Sequence, residues 1–125
     1  MTSRPLVVLA SFAADLVLVV VFAAIGRASH DEPVLSGLWT TSWPFLVGLA
    51  AGWLVTLAWR APAAPVRTGL GVWAVTVIGG MLLRAASGQG VAVAFVVVAS
   101  ITLLVFLVGW RVVAALVARR SRTAA

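Results

Sequence analysis

Four long apolar stretches decide what this chain can fold into. They predict helices over about residues 5–26, 42–60, 66–85 and 91–113, followed by a basic C-terminal tail at 119–125. A helix rises about 1.5 Å per residue, so about 20 residues cross the roughly 30 Å of hydrocarbon in a bilayer. A spanning barrel would need alternating segments of about 10 residues, and these stretches are continuous. Composition agrees: 63% of the residues are hydrophobic and 10% are charged, against about 45–50% and 25% in a soluble domain. A water-soluble protein of 125 residues could not bury so much apolar surface. The expected fold is therefore all-α, an integral membrane four-helix up-down bundle forming a single transmembrane domain over residues 1–125.

The links follow from local chemistry. Arg27 to Thr41 is the longest and holds His30, Asp31, Glu32 and Pro33. Ala61-Pro62-Ala63-Ala64-Pro65 stops one helix and starts the next, because proline lacks an N–H and suits only a first turn. Ala86-Ser87-Gly88-Gln89-Gly90 makes a tight turn. Links this short make sequential helices antiparallel neighbours. The first stretch is too long for the apolar region of a cleaved signal, and Asp15 interrupts it, so it is read as a span.

Orientation comes from the arginines. Seven (Arg4, Arg60, Arg67, Arg111, Arg119, Arg120 and Arg122) belong to the N-terminus, the second link and the C-terminus; two (Arg27 and Arg84) belong to the first and third links. Positive residues stay inside, so both termini are expected in the cytoplasm, with Asp31 and Glu32 outside. Trp39 and Trp43 then mark the outer interface, and Trp59 and Trp110 the inner one.

Several function classes are excluded or disfavoured. The net charge of +6 does not indicate nucleic acid, because the arginines sit at the ends of apolar stretches. The expected partners are the lipid bilayer and anionic headgroups at the cytoplasmic face, with a homo-oligomer left open. There is no cysteine, one histidine and three acids, so neither thiol chemistry nor a dedicated metal site is expected. No lysine exists to hold a retinal Schiff base, no cofactor is expected, and no nucleophile elbow or phosphate loop is present, so the chain is not read as an enzyme.

Asp15 is the strongest functional signal. It lies about ten residues into the first helix, roughly 15 Å along it and near mid-membrane. A charged side chain there costs about 2.5–3.5 kcal/mol on insertion scales, so it should face the bundle interior. Dehydration favours the neutral acid. Ser11, Asp15, Phe22 and Gly26 share one helical face, and Ser11 is placed to hydrogen-bond the carboxyl group. Two roles are open to Asp15: a proton-coupled or cation-binding site, or a neutral acid bonded to a neighbouring helix for packing.

Arg84 ends the third helix on a stripe with Trp73, Val77 and Gly80, and Thr76 lies at its edge. By rise per residue Arg84 lies about 12 Å nearer the outside than Asp15, too far for a direct salt bridge. These four residues, Asp15, Ser11, Arg84 and Thr76, form the candidate intramembrane polar site. Arg27, Ser29, His30, Asp31 and Glu32 form a candidate outer polar cap, in which a histidine could supply a pH response. Gly48 and Gly52 have a spacing that permits close helix approach, either within the bundle or between two copies. Trp53 and Trp73 lie deep in their helices, as pocket residues or as apolar fillers.

The pattern Asp15…Phe22-Ala23-Ala24-Ile25-Gly26-Arg27-Ala28-Ser29-His30, with Trp43-Pro44-Phe45 and Arg84, resembles the bacterial membrane family catalogued as domain of unknown function 3054. The resemblance covers nearly the whole chain and implies a small polytopic membrane protein without implying an activity. The chain is also similar in length, helix number and single first-helix acid to the small multidrug resistance transporters. Those exchange protons for cations at a glutamate, and the resemblance would give that part to Asp15. The local motif around their glutamate is missing here, and the strong arginine bias is unlike their dual-topology members.

Overall fold

A computed structural model of the chain describes residues 3–124. Four helices dominate: α1 (Arg4–Ser29), α2 (Val34–Thr56), α3 (Gly71–Ala86) and α4 (Val93–Ala124). A 3-10 turn at Ala58–Arg60 and a π turn at Pro65–Leu70 lie between α2 and α3, and the π turn runs straight into α3. With that turn included, all four segments are long and apolar enough to cross a membrane. No strand occurs among the described residues.

Each helix end has a local cause. The Ser3 hydroxyl accepts the Leu6 N–H and Pro5 fills the first turn, which starts α1. Pro33 immediately precedes α2, which begins at Val34 and not near residue 42. Ser36, Thr40, Thr41 and Ser42 break the apolar pattern there but not the helix, since Ser42 returns its hydroxyl to the Leu38 carbonyl at 2.6 Å. Pro44, expected at the start of this helix, therefore lies inside it. At the other end Leu57 takes the left-handed conformation (φ 52°, ψ 49°) and ends α2 at Thr56, short of residue 60. The tail expected at 119–125 continues α4 as helix through Ala124; residue 125 lies outside the described residues.

Contacts between helices run in opposite order along the chain. Arg4 donates to the carbonyls of Trp59 and Arg60 at one end of α1, and Phe22 meets Phe45 edge-on at 5.2 Å further along. Phe95 of α4 packs against both rings. The closest approach is between α2 and α3. A Cβ on Gly48 would come within 2.8 Å of the Thr76 carbonyl oxygen, and one on Gly52 within 3.2 Å of the Val72 carbonyl. The Gly48/Gly52 spacing thus serves packing inside this chain. Val17, Leu54, Ile78 and Val105 face outward at 59–66% exposure, an apolar exterior unlike that of a soluble bundle.

Candidate functional site

Asp15 is completely buried on the inner face of α1, beside Ser11, Val19 and Phe22. Four N–H groups converge on its two carboxyl oxygens. Oδ1 accepts from Trp110 Nε1 at 2.8 Å and from an Arg111 terminal nitrogen at 2.8 Å. Oδ2 accepts from Trp53 Nε1 at 2.8 Å and from the other Arg111 terminal nitrogen at 2.7 Å. The Arg111 fork therefore meets the carboxylate in the parallel two-bond geometry that guanidinium groups favour. An ionised carboxyl group only accepts, whereas a neutral acid would place a hydroxyl among donors. All four partners are N–H donors, so both oxygens of Asp15 act as acceptors.

Arg111 is itself fully buried, with no exposed surface. Its Nε donates to the Pro62 carbonyl at 2.8 Å, and one terminal nitrogen also donates to the Leu107 carbonyl at 2.8 Å. The guanidinium carbon stands 4.6 Å from the Trp110 ring centroid. The second link makes this possible. It folds back so that Ala58 and Thr68 are fully buried, with the Thr68 hydroxyl bonded to the Ala61 carbonyl. In the π turn, a Cβ on Gly69 would stand 3.2 Å from Arg111 Cδ, so glycine leaves room for the arginine stem. Trp53 lies only three residues before the end of α2 and Arg111 reaches the Pro62 carbonyl, so the carboxylate is tied to the second link.

The other expected members of this site lie elsewhere. Ser11 is buried one turn from Asp15, but none of the four bonds to the carboxylate comes from it. Thr76 is buried against Gly48 of α2, and its hydroxyl has no partner. Arg84 turns away to the third link, donating to the Gly90 carbonyl at 2.9 and 3.1 Å and to Gln89 Oε1 at 3.2 Å, with its guanidinium 4.1 Å from the Phe95 ring centroid. Trp73 donates to the Ser100 carbonyl at 2.8 Å and ties α3 to α4.

Arg84 instead joins the first link. Arg27, Ser29, His30 and Glu32 line one cavity with it, while Asp31 stands apart in a left-handed turn (φ 56°). Arg27 lies across α2, bonded to the Pro33 carbonyl at 2.6 Å and Thr41 Oγ1 at 3.0 Å, and it pairs with Glu32 at 3.3 Å. A Cβ on Gly37 would overlap its guanidinium. Among the described residues no cluster of three or more histidine or acidic side chains is placed to hold a metal ion.

Residues 12–114 match the family described as Protein of unknown function (DUF3054). The chain belongs to that family. No curated protein and no solved structure matches it. The DUF3054 match begins after Ser11 and ends before Arg119, so it contains both Asp15 and Arg111 as well as Trp53, Trp110 and every residue lining the cavity beside Arg27 and Arg84.

The residues that sequence reasoning missed are Arg111 and its two tryptophan companions. Arg111 counts by position as one more inner-interface arginine, and Trp110 as an interface marker. One signal was present: the apolar pattern resumes after Arg111, from Val112 to Ala118, which makes it an arginine within an apolar stretch. Such residues usually face a partner. What no one-dimensional count supplies is that Arg111 meets Asp15, 96 positions away.

Proposed function

We propose that this DUF3054 chain is a non-enzymatic, four-span up-and-down bundle of the bacterial cytoplasmic membrane, with both termini in the cytoplasm. In this reading it is a structural or partner-binding membrane subunit whose helices are locked by an Asp15–Arg111 clasp. The supporting observation is the saturation of Asp15: four N–H donors occupy its two oxygens at 2.7–2.8 Å, which leaves no open place for an exchanging proton or cation. A coupling carboxylate must shed its partners in each cycle, and a desolvated ion pair resists that strongly. The clasp reading therefore outweighs a small proton- or cation-coupled transporter built on Asp15.

The arginine distribution supports the orientation. Arg111 is neutralised inside the bundle, yet Arg4, Arg60, Arg67, Arg119, Arg120 and Arg122 still outnumber Arg27 and Arg84. On this reading the three arginines of the last turns of α4 meet anionic headgroups.

Two measurements test the proposal. A topology reporter at the C-terminus should read cytoplasmic, and a periplasmic signal would overturn the orientation. Asp15→Asn should weaken folding, since a neutral amide leaves the Arg111 charge unpaired. If reconstituted parent protein carries a proton-dependent flux that vanishes in an Asp15→Asn variant of undiminished stability, the transporter reading replaces the clasp.

A further inference from the structure

The clasp joins α1 and α4 near the second link, and toward the opposite end the two helices meet again through Phe22 and Phe95. There they enclose a cavity of about 570 Å³. Its wall is apolar, formed by Phe22 and Ala23 of α1 and by Phe95, Val98 and Ala99 of α4. Val98 is 60% exposed, so the wall opens sideways to the exterior of the bundle. Its rim is polar and carries two guanidinium groups, Arg27 and Arg84, against one carboxylate, Glu32. The volume falls within the range of about 300–1,000 Å³ usual for small-ligand sites.

Of the rim arginines, Arg27 pairs with Glu32 at 3.3 Å, whereas Arg84 bonds no carboxylate. The bonds of Arg84 go to the Gly90 carbonyl and the Gln89 amide oxygen, both neutral acceptors. Arg27 bonds Pro33 and Thr41 through Nε and one terminal nitrogen, the same nitrogen that approaches Glu32. A guanidinium has five N–H groups, so each arginine keeps donors beyond those bonds. One rests against Phe95 and the other lies across Gly37. Prepositioned guanidinium donors above an apolar, laterally open wall are complementary to an anionic head on an acyl chain.

We propose that this cavity binds one anionic phospholipid, its phosphate between Arg27 and Arg84 and an acyl chain along Phe22, Phe95 and Val98. The proposal rests on the membrane reading given above. It is distinct from general attraction of lipid to Arg119, Arg120 and Arg122, which lie on the far end of α4 and outside this cavity.

Native mass spectrometry of the full chain, extracted from membranes in mild detergent, tests it with phosphatidylglycerol, phosphatidylcholine and glycerol phosphate as probes. One phosphatidylglycerol should be retained per chain about tenfold more strongly than phosphatidylcholine, as expected for a charge-assisted contact. Arg84→Gln should remove that preference. Val98→Trp, which fills an already exposed position on the wall, should abolish the adduct while keeping the fold. The triple variant Arg119→Gln, Arg120→Gln, Arg122→Gln should retain it. Equal retention of both lipids by the parent, an unchanged preference in Arg84→Gln, loss in the triple variant, or displacement by glycerol phosphate would each overturn the lipid site. Failure of the chain to extract with membranes would sink the membrane reading instead.

Discussion

Two arginines on opposite ends of this bundle rest beside aromatic rings, yet they do different things. Arg111 lies 4.6 Å from the Trp110 ring centroid and Arg84 lies 4.1 Å from that of Phe95. Arg111 faces a carboxylate in matched two-bond geometry and is wholly buried. Arg84 faces neutral oxygens at the rim of a cavity. The stacking is similar; the acceptor differs. A buried charge is tolerable only when its partner and remaining donors are satisfied. The clasp satisfies them and therefore locks, while the rim leaves positive charge to spare and therefore can recruit.

The largest expected effect lies in the clasp. Arg111→Met should cost about 3–5 kcal/mol of stability, because it strands the Asp15 charge. Adding Asp15→Leu should recover most of that loss, measured by denaturant unfolding in detergent. A single variant as stable as the parent would remove the clasp from the account.

Trp53→Phe should come next, at about 1.5–3 kcal/mol for one hydrogen bond to a charged group. Phe12 meets the Trp53 ring edge-on at 5.0 Å, so the smaller phenyl ring also gives up part of that packing. Glycines beside the clasp and beside the rim offer a third comparison. Gly69→Ala presses on the buried Arg111 stem and should cost about 1–3 kcal/mol as overpacking. Gly37→Ala presses on Arg27, whose partly exposed side chain can swing aside, and should cost less. Equal penalties would show that the rim is as rigid as the clasp.

Arg84→Gln should move stability by less than about 1 kcal/mol, as exposed charge contacts usually do. Ser11→Ala should be smallest, within about 0.5 kcal/mol, since Ser11 gives Asp15 no bond. A larger loss there would mean that Ser11 does reach the carboxylate.

Much of the architecture was legible along the chain. Continuous apolar stretches gave four helices, each long and apolar enough to cross a membrane once the π turn is counted with α3. The interior face of α1 was legible from Ser11, Asp15 and Phe22, because helical periodicity alone puts them together. Helix ends were harder. Polar residues in Ser36–Ser42 imitate a loop, although serine and threonine hydroxyls can bond back to the helix that carries them, as Ser42 does.

The sequence by itself determined that Asp15 turns inward with Ser11 and Phe22, since an acid on an apolar helix is costly to leave facing outward, and it left open what the carboxyl group meets there. Only the tertiary structure decided that. The link at 57–64 folds inward, Gly69 leaves room, and α4 turns Arg111 toward α1, so the partner came from the far end of the chain and not from Arg84. Charge pairing depends on distance and direction in space, and neither is written in the order of residues.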